Sequence, residues 1–452
     1  MRLYAFLVTL FLQLAVLGHA FQDTYNRPGR WSATDHKNHR AWLSNIARRV
    51  DESPEELHPV IKEFEDRIDT TPRLAMLFQS MFNEVPFHYT KQDNGAPQLR
   101  NYKHMLRVLN HLIRTAPSYS ERKNRMSFVG LPINAVLDWP MGTPSGFAAF
   151  IDPEVNEMIQ KILNDWGAFL QSSDSAYVLG TEQLEWFGPT ALQDLTRVAN
   201  IGKTNYTFDE MFISDPSDKT HGYTSWDNFF TRLFHDGIRP VSAPDNDSVI
   251  INACESKPYN VQHNVKGHDA FWVKEQPYSV IDMLGRDSMA DRFVGGTIYQ
   301  AFLSALSYHR WHAPISGKIV RSYIINGTYY SEPLFTGTMN PRDNHTYIDD
   351  VGIVTAETYL TSMATRAVIF IEADNPTIGT VAFVGVGMAE VSTCDITVKE
   401  GQHVKKGEQL GMFHYGGSTH CLLFENGVNV TGFPEKGGEW NVPVRGELAV
   451  VQ

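Results

Sequence analysis

The hydrophobic periodicity of this 452-residue chain changes once, near residue 240, and that change restricts it to a helical part followed by a sheet part. From about residue 35 to 200, apolar positions recur three and four apart. Leu57, Ile61, Phe64 and Ile68 line one face, Leu74, Leu77, Phe78 and Met81 a second, and Met105, Leu109 and Leu112 a third. Ser53-Pro54-Glu55-Glu56 reads as an N-cap, a first-turn proline and a capping-box glutamate ahead of the first stripe. Asp152-Pro153 opens a fourth, carrying Val155, Met158, Ile159, Ile162, Trp166 and Phe169. Stripes of this kind are core faces and carry no chemistry of their own.

Beyond residue 240, β-branched runs alternate with Gly, Pro and Asn. Ser248 to Asn252, Lys318 to Ile325, Ala367 to Ile371 and Thr380 to Val386 read as strands, with a turn at Asn375-Pro376 between the last two. Gly401 and Gly407 are each followed three residues on by an apolar position, Val404 and Leu410. This G-x-x-V-x-x-G-x-x-L form belongs to compact β domains of the barrel-sandwich-hybrid type, whose tight turns require φ > 0. The expected fold class is α+β. A helical N-terminal domain over residues 21–215 precedes a mostly antiparallel β catalytic domain over residues 216–452.

With 39 Lys+Arg against 51 Asp+Glu, the net charge is −12 and no basic block occurs, which argues against nucleic-acid partners and a polybasic membrane patch. Cys254, Cys394 and Cys421 form neither a disulfide framework nor a C-x-x-C metal pattern, so no metal is expected. A single Arg2, an apolar run from Leu3 to Leu17 and Gly18-His19-Ala20 form the pattern of a secretory signal peptide over residues 1–20. No other stretch is long and apolar enough to span a bilayer. Sequons at Asn205, Asn246, Asn326, Asn344 and Asn429 fit a secreted or lumenal glycoprotein.

The chemistry concentrates in two segments, Tyr308-His309-Arg310-Trp311-His312-Ala313-Pro314 and Gly416-Gly417-Ser418-Thr419. With Phe229-Phe230-Thr231-Arg232 and Arg239-Pro240, they resemble the phosphatidylserine decarboxylase family of self-processing, pyruvoyl-dependent decarboxylases. The likeness covers about residues 220 to 445. It implies cleavage between Gly417 and Ser418, leaving chains of residues 21–417 and 418–452 that stay associated. Ser418 becomes the pyruvoyl cofactor and holds the substrate amine as a Schiff base. By resemblance His312 is the base of self-processing and His309 the proton donor of decarboxylation. Where the family carries an aspartate that orients the histidine, this chain has Asn252-Ala253-Cys254-Glu255-Ser256. Glu255 either replaces that aspartate with a longer reach or leaves the relay absent.

Tyr259-Asn260-Val261, Phe370-Ile371-Glu372-Ala373-Asp374-Asn375, Glu390-Val391-Ser392-Thr393-Cys394 and the helical first half are similar to the fungal, tryptophan-decarboxylase-like branch of the family. That likeness implies a free aromatic L-amino acid as substrate, with phosphatidylserine as the alternative. Readings from other classes are a non-catalytic β-domain binding module and a lysostaphin-like zinc peptidase. The second requires His-x-His, and His420 is followed by Cys421 and Leu422. Oligomeric state is not legible at this level.

Overall fold

The structure is a computed structural model describing residues 33–84, 99–119, 131–268, 278–331, 357–391, 393–415 and 418–452. The expected signal peptide (residues 1–20), the sequon at Asn344 and Gly417 lie outside the described residues. The helical part comprises α1 (Ala33–Glu52), α2 (Pro59–Thr70), α3 (Pro72–Glu84), α4 (Tyr102–Leu112), α5 (Pro132–Met141), α6 (Pro144–Phe150), α7 (Pro153–Gln171) and α8 (Pro189–Asn200). Proline opens most of these helices, because the first turn has no acceptor for its missing N–H and φ is already set.

The expected stripes are the buried faces. Phe64 and Ile68 of α2, Leu74, Phe78 and Met81 of α3, and Val155, Met158, Ile162 and Trp166 of α7 are all buried. Asp152 caps α7 by accepting from the Glu154 N–H. One boundary differs from expectation. Helix α2 starts at Pro59, not after Ser53, and Leu57 lies outside it. A helix running through from Pro54 would carry Pro59 in its interior, against the carbonyl of Glu55. The intervening segment is instead tied to α4. The Glu55 carboxylate meets His111 and Arg114, and Asn110 accepts from the His58 N–H.

Among the described residues the second half forms thirteen strands. They are β1 (Val249–Ile251), β2 (Lys257–His263), β3 (Thr297–Leu303), β4 (Arg310–His312), β5 (Gly317–Ile325), β6 (Arg366–Ala373), β7 (Thr380–Gly387), β8 (Thr393–Ile396), β9 (His403–Val404), β10 (Gln409–His414), β11 (Ser418–Phe424), β12 (Val430–Thr431) and β13 (Glu447–Val451). A seven-stranded antiparallel sheet has the order β2-β3-β11-β7-β6-β5-β9. Two smaller sheets are β4-β10-β8 and β1-β13-β12, and among the described residues none closes into a barrel. Gly401 and Gly407 take φ of +83° and +87°, the left-handed turns their spacing implied.

Both faces of the large sheet are covered. Along β11, Cys421 and Leu423 pack into a core shared with Phe64, Phe78 and Trp166 of the helical part. Leu422 and Phe424 pack the other way, with Trp311, Phe383 and Phe413. Burial on both sides explains why β7 reads as a nearly continuous apolar run rather than an alternating one, and β11 is buried along its whole length. Among the described residues no helix is long and apolar enough to cross a membrane. Because Asp152 caps a helix and Ser53 does not, Asp152→Ala should lower stability by about 1 kcal/mol while Ser53→Ala leaves it nearly unchanged. Thermal unfolding of the two variants checks this.

Candidate active site

Ser418 is the first residue of β11, where the sheet is fully paired on both sides. It lies opposite Leu303 of β3 and Gly387 of β7. Its Oγ is buried and has no hydrogen-bond partner among the described residues. An orphaned hydroxyl inside a sheet costs stability, and such groups call for a functional account.

His309 immediately precedes β4 and His312 ends it, and both are bonded to β10, the strand that leads into residues 415–418. The Phe413 N–H donates to the His309 carbonyl, and the His309 ring stacks on Phe230 at 4.1 Å between centroids. Phe230 also borders Tyr415, which Trp166 and Trp226 hold edge-on at 4.7 and 4.5 Å. His309 therefore belongs to the aromatic group beside Tyr415, three residues before Ser418. His312 pairs instead with Gln409 at the far end of β10.

The hydrogen bonds of His312 identify its tautomer. A carbonyl can only accept, so Nδ1–H donates to the Gly407 oxygen at 2.9 Å. Nε2 then carries a lone pair and accepts from the Tyr308 hydroxyl at 3.0 Å. Burial drives the His312 pKa down to about 3, helped by the Arg445 charge, so the ring is neutral. Burial also raises Tyr308 to about 12 and keeps it a phenol that can donate.

Glu255 does not orient His312 in this structure. Both its oxygens are committed to Arg239, at 3.0 and 2.6 Å, and Oε2 also accepts from the Val444 N–H. The Gly407 carbonyl takes the orienting place. It also accepts from Arg445, which fixes its direction. Glu255 lies near enough to Tyr308 for its charge to favour the neutral phenol. The arginine motifs gain a physical role here: Arg239 neutralises Glu255, while Arg232 donates to the Leu306 and Ser307 carbonyls just before Tyr308.

Two further groups had no role assigned from sequence. Asp227, on the short helix α9 (Trp226–Phe230), bonds His414 at 3.0 Å. Burial lowers the His414 pKa, but the Asp227 bond and the Asp227 and Asp395 charges outweigh it and raise it overall. Glu390 is buried, and its Oε1 accepts from the Asn134 N–H in the first turn of α5. Burial pushes its carboxyl up to about 8. Neither lies in a motif whose spacing signals chemistry; both arise from contacts more than 180 residues apart in sequence. Among the described residues no cluster of His, Cys, Asp or Glu suits a metal ion.

Two family models match the chain, both described as phosphatidylserine decarboxylase, over residues 58–195 and 226–442. The decarboxylase iboD of Amanita muscaria is 42% identical over 336 residues, covering 73% of this chain and 94% of that protein. The chain belongs to the phosphatidylserine decarboxylase family. It is a carboxy-lyase by that membership. An L-tryptophan decarboxylase of Psilocybe cubensis is 36% identical over 371 residues, 80% of this chain and 79% of that protein. A phosphatidylserine decarboxylase proenzyme 3 of Schizosaccharomyces pombe is 33% identical over 214 residues, 47% of this chain and 20% of that protein.

The buried Arg239–Glu255 pair sets a stability expectation. Glu255→Ala strands a buried guanidinium and should cost about 3–5 kcal/mol in denaturant unfolding, with Arg239→Ala comparable. No loss in either variant would contradict the pairing.

Protonation gives a second expectation. His104, His312 and His420 have folded pKa values depressed by burial, so their contribution is present above the unfolded value near 6.5 and is lost as pH falls. His414, raised, works the opposite way and is favoured below that value. The Glu390 carboxyl, raised to about 8, is also favoured as pH falls, so three groups oppose two and stability falls from pH 7 to pH 5 by up to about 1.4 kcal/mol per pH unit for the one uncompensated histidine. Urea unfolding at the two pH values checks it.

Proposed function

We propose that this family member makes a pyruvoyl group from Ser418 and uses it to release CO2 from a free aromatic L-amino acid. The observation that carries the proposal is the buried, unpartnered Ser418 hydroxyl at the start of a doubly paired strand. A group fashioned from Ser418 fits this place. Conversion removes the orphaned hydroxyl, and the glycine before it leaves the carbonyl open to approach.

In self-processing, Ser418 Oγ attacks the Gly417 carbonyl carbon and the Gly417–Ser418 amide becomes an ester. Loss of the Ser418 α-proton then expels the Gly417 carboxylate, and hydrolysis of the resulting dehydroalanine releases ammonia and leaves the ketone. A base must take the hydroxyl proton. The resemblance to the family assigns that role to His312, a neutral imidazole whose Nε2 here accepts from Tyr308 and not from Ser418. His309, packed beside Phe230 and the Tyr415 group, suits delivery of a proton to the substrate carbon. The pyruvoyl group supplies the electron sink for CO2 loss.

The aromatic preference is supported by the rings of Trp166, Trp226, Phe230 and Tyr415 beside the Ser418 segment and by the similarity to an L-tryptophan decarboxylase. A secretory route is supported by the leader pattern and by the exposure of Asn205, Asn246, Asn326 and Asn429. The three strands of residues 418–452 support continued association of the two chains.

The denatured mass under reducing conditions should show two chains divided between Gly417 and Ser418, the smaller ending in a ketone at its N-terminus. Ser418→Ala should stay intact and inactive. An active, uncleaved wild-type chain would sink the mechanism. Glycosidase treatment should lower the mass of protein made in a secretory host. CO2 release measured from tryptophan, tyrosine, phenylalanine and phosphatidylserine decides the substrate, and release from the lipid alone would overturn the aromatic reading.

A further inference from the structure

We infer that Glu390, with Tyr330 and Tyr415, forms the subsite that reads the substrate side chain and selects an aromatic ring bearing an N–H or O–H donor. This inference rests on the aromatic amino-acid reading above and names which members of that class are favoured.

The three groups reach one place from different segments. Gly387 lies opposite Ser418, and three residues later Glu390 follows a turn in which Ala389 takes φ of +55°. Tyr415, at φ of +47°, precedes Ser418 by three residues. Glu390 Oε2, the Tyr330 hydroxyl and the Tyr415 hydroxyl are all buried and have no hydrogen-bond partner among the described residues. They are close enough to act on one another electrostatically. The other Glu390 oxygen is held by the Asn134 N–H, so the carboxyl is fixed while one oxygen stays open.

The surroundings are aromatic and apolar. Trp166 and Trp226 meet Tyr415 edge-on. Tyr330 also lines a small apolar cavity with Phe64, Phe78, Ile133, Phe150 and Ile162, and Ile133 adjoins Asn134. Chemistry then narrows what Glu390 meets. The substrate amine is engaged at Ser418 and its carboxylate departs as CO2, so only the side chain remains to satisfy a buried carboxyl oxygen. A ring with an N–H or O–H supplies that hydrogen bond. A bare phenyl ring leaves Oε2 and the two hydroxyls unpaired in a dry site, which is the strongest basis for rejection.

The test compares kcat/KM for tryptophan, 1-methyltryptophan and phenylalanine in the processed enzyme. Wild type should favour tryptophan over 1-methyltryptophan by about tenfold or more, since the methyl group takes the place of the donor hydrogen. Glu390→Leu, checked for cleavage by mass, should bring the two within about threefold, and Tyr415→Phe should narrow the gap partway. If Glu390→Leu fails to fold or process, the wild-type ratio alone decides. A ratio near one in wild type, or an unchanged ratio in Glu390→Leu, overturns the inference while leaving the aromatic reading intact. No CO2 from any of the three amino acids overturns both.

Discussion

The site depends on the pairing of β11, from its first residue, along both edges. Each residue from Ser418 to Phe424 faces a partner on β3 and another on β7. Alternate side chains enter two separate cores, so the strand is fixed in register as well as in place. A chain broken before Ser418 loses one backbone link but none of these ladders. Further on, β13 pairs with β1, and Val442 bridges Ser256 across the same seam. An N-terminus created at Ser418 would be held by the sheet as firmly as the intact strand, which is what a reactive group built into the backbone requires.

Around that strand, turn residues do the work of orienting the His312 imidazole. The Gly407 carbonyl receives the His312 Nδ1–H and the Arg445 Nε–H, while its own N–H donates to Ala313. A peptide fixed at both ends directs the imidazole as firmly as a carboxylate would. It does so without adding a negative charge that would raise the histidine pKa. Burial, with the Arg445 charge, keeps the imidazole neutral.

Most of the fold is legible in the sequence because it is local. The α7 start at Asp152-Pro153, the α3 and α4 faces, the strand spans and the left-handed glycines at 401 and 407 follow from periodicity and turn chemistry. Where reading fails, the deciding partner is distant. Ser53-Pro54 has the form of a helix start, but Pro59 and the contacts to Asn110, His111 and Arg114 move the boundary. Glu255 stands where an orienting aspartate is expected, yet Arg239 takes its carboxylate. Glu390 sits in a stretch noted only for its likeness to relatives, and its neighbours Asn134, Tyr330 and Tyr415 come from three other segments. Motif spacing reports residues that act on the backbone near them; it is silent about a carboxyl placed by tertiary packing.

This placement changes the standing of the helical part, which by sequence carries no chemistry. Its α5 start holds one Glu390 oxygen through Asn134, and its α7 sets Trp166 against Tyr415. Both contacts reach the segments that end on either side of Ser418, β7 through Glu390 and β10 through Tyr415. A shift of α5 against the sheet would release the Glu390 carboxyl from its N–H donor, and a shift of α7 would free the Tyr415 ring. Because one continuous core spans Phe64 and Trp166 on the helices and Val384 and Leu423 on the sheet, neither shift can occur without opening that core. The helices therefore hold the substrate side of the site by the same packing that covers the sheet.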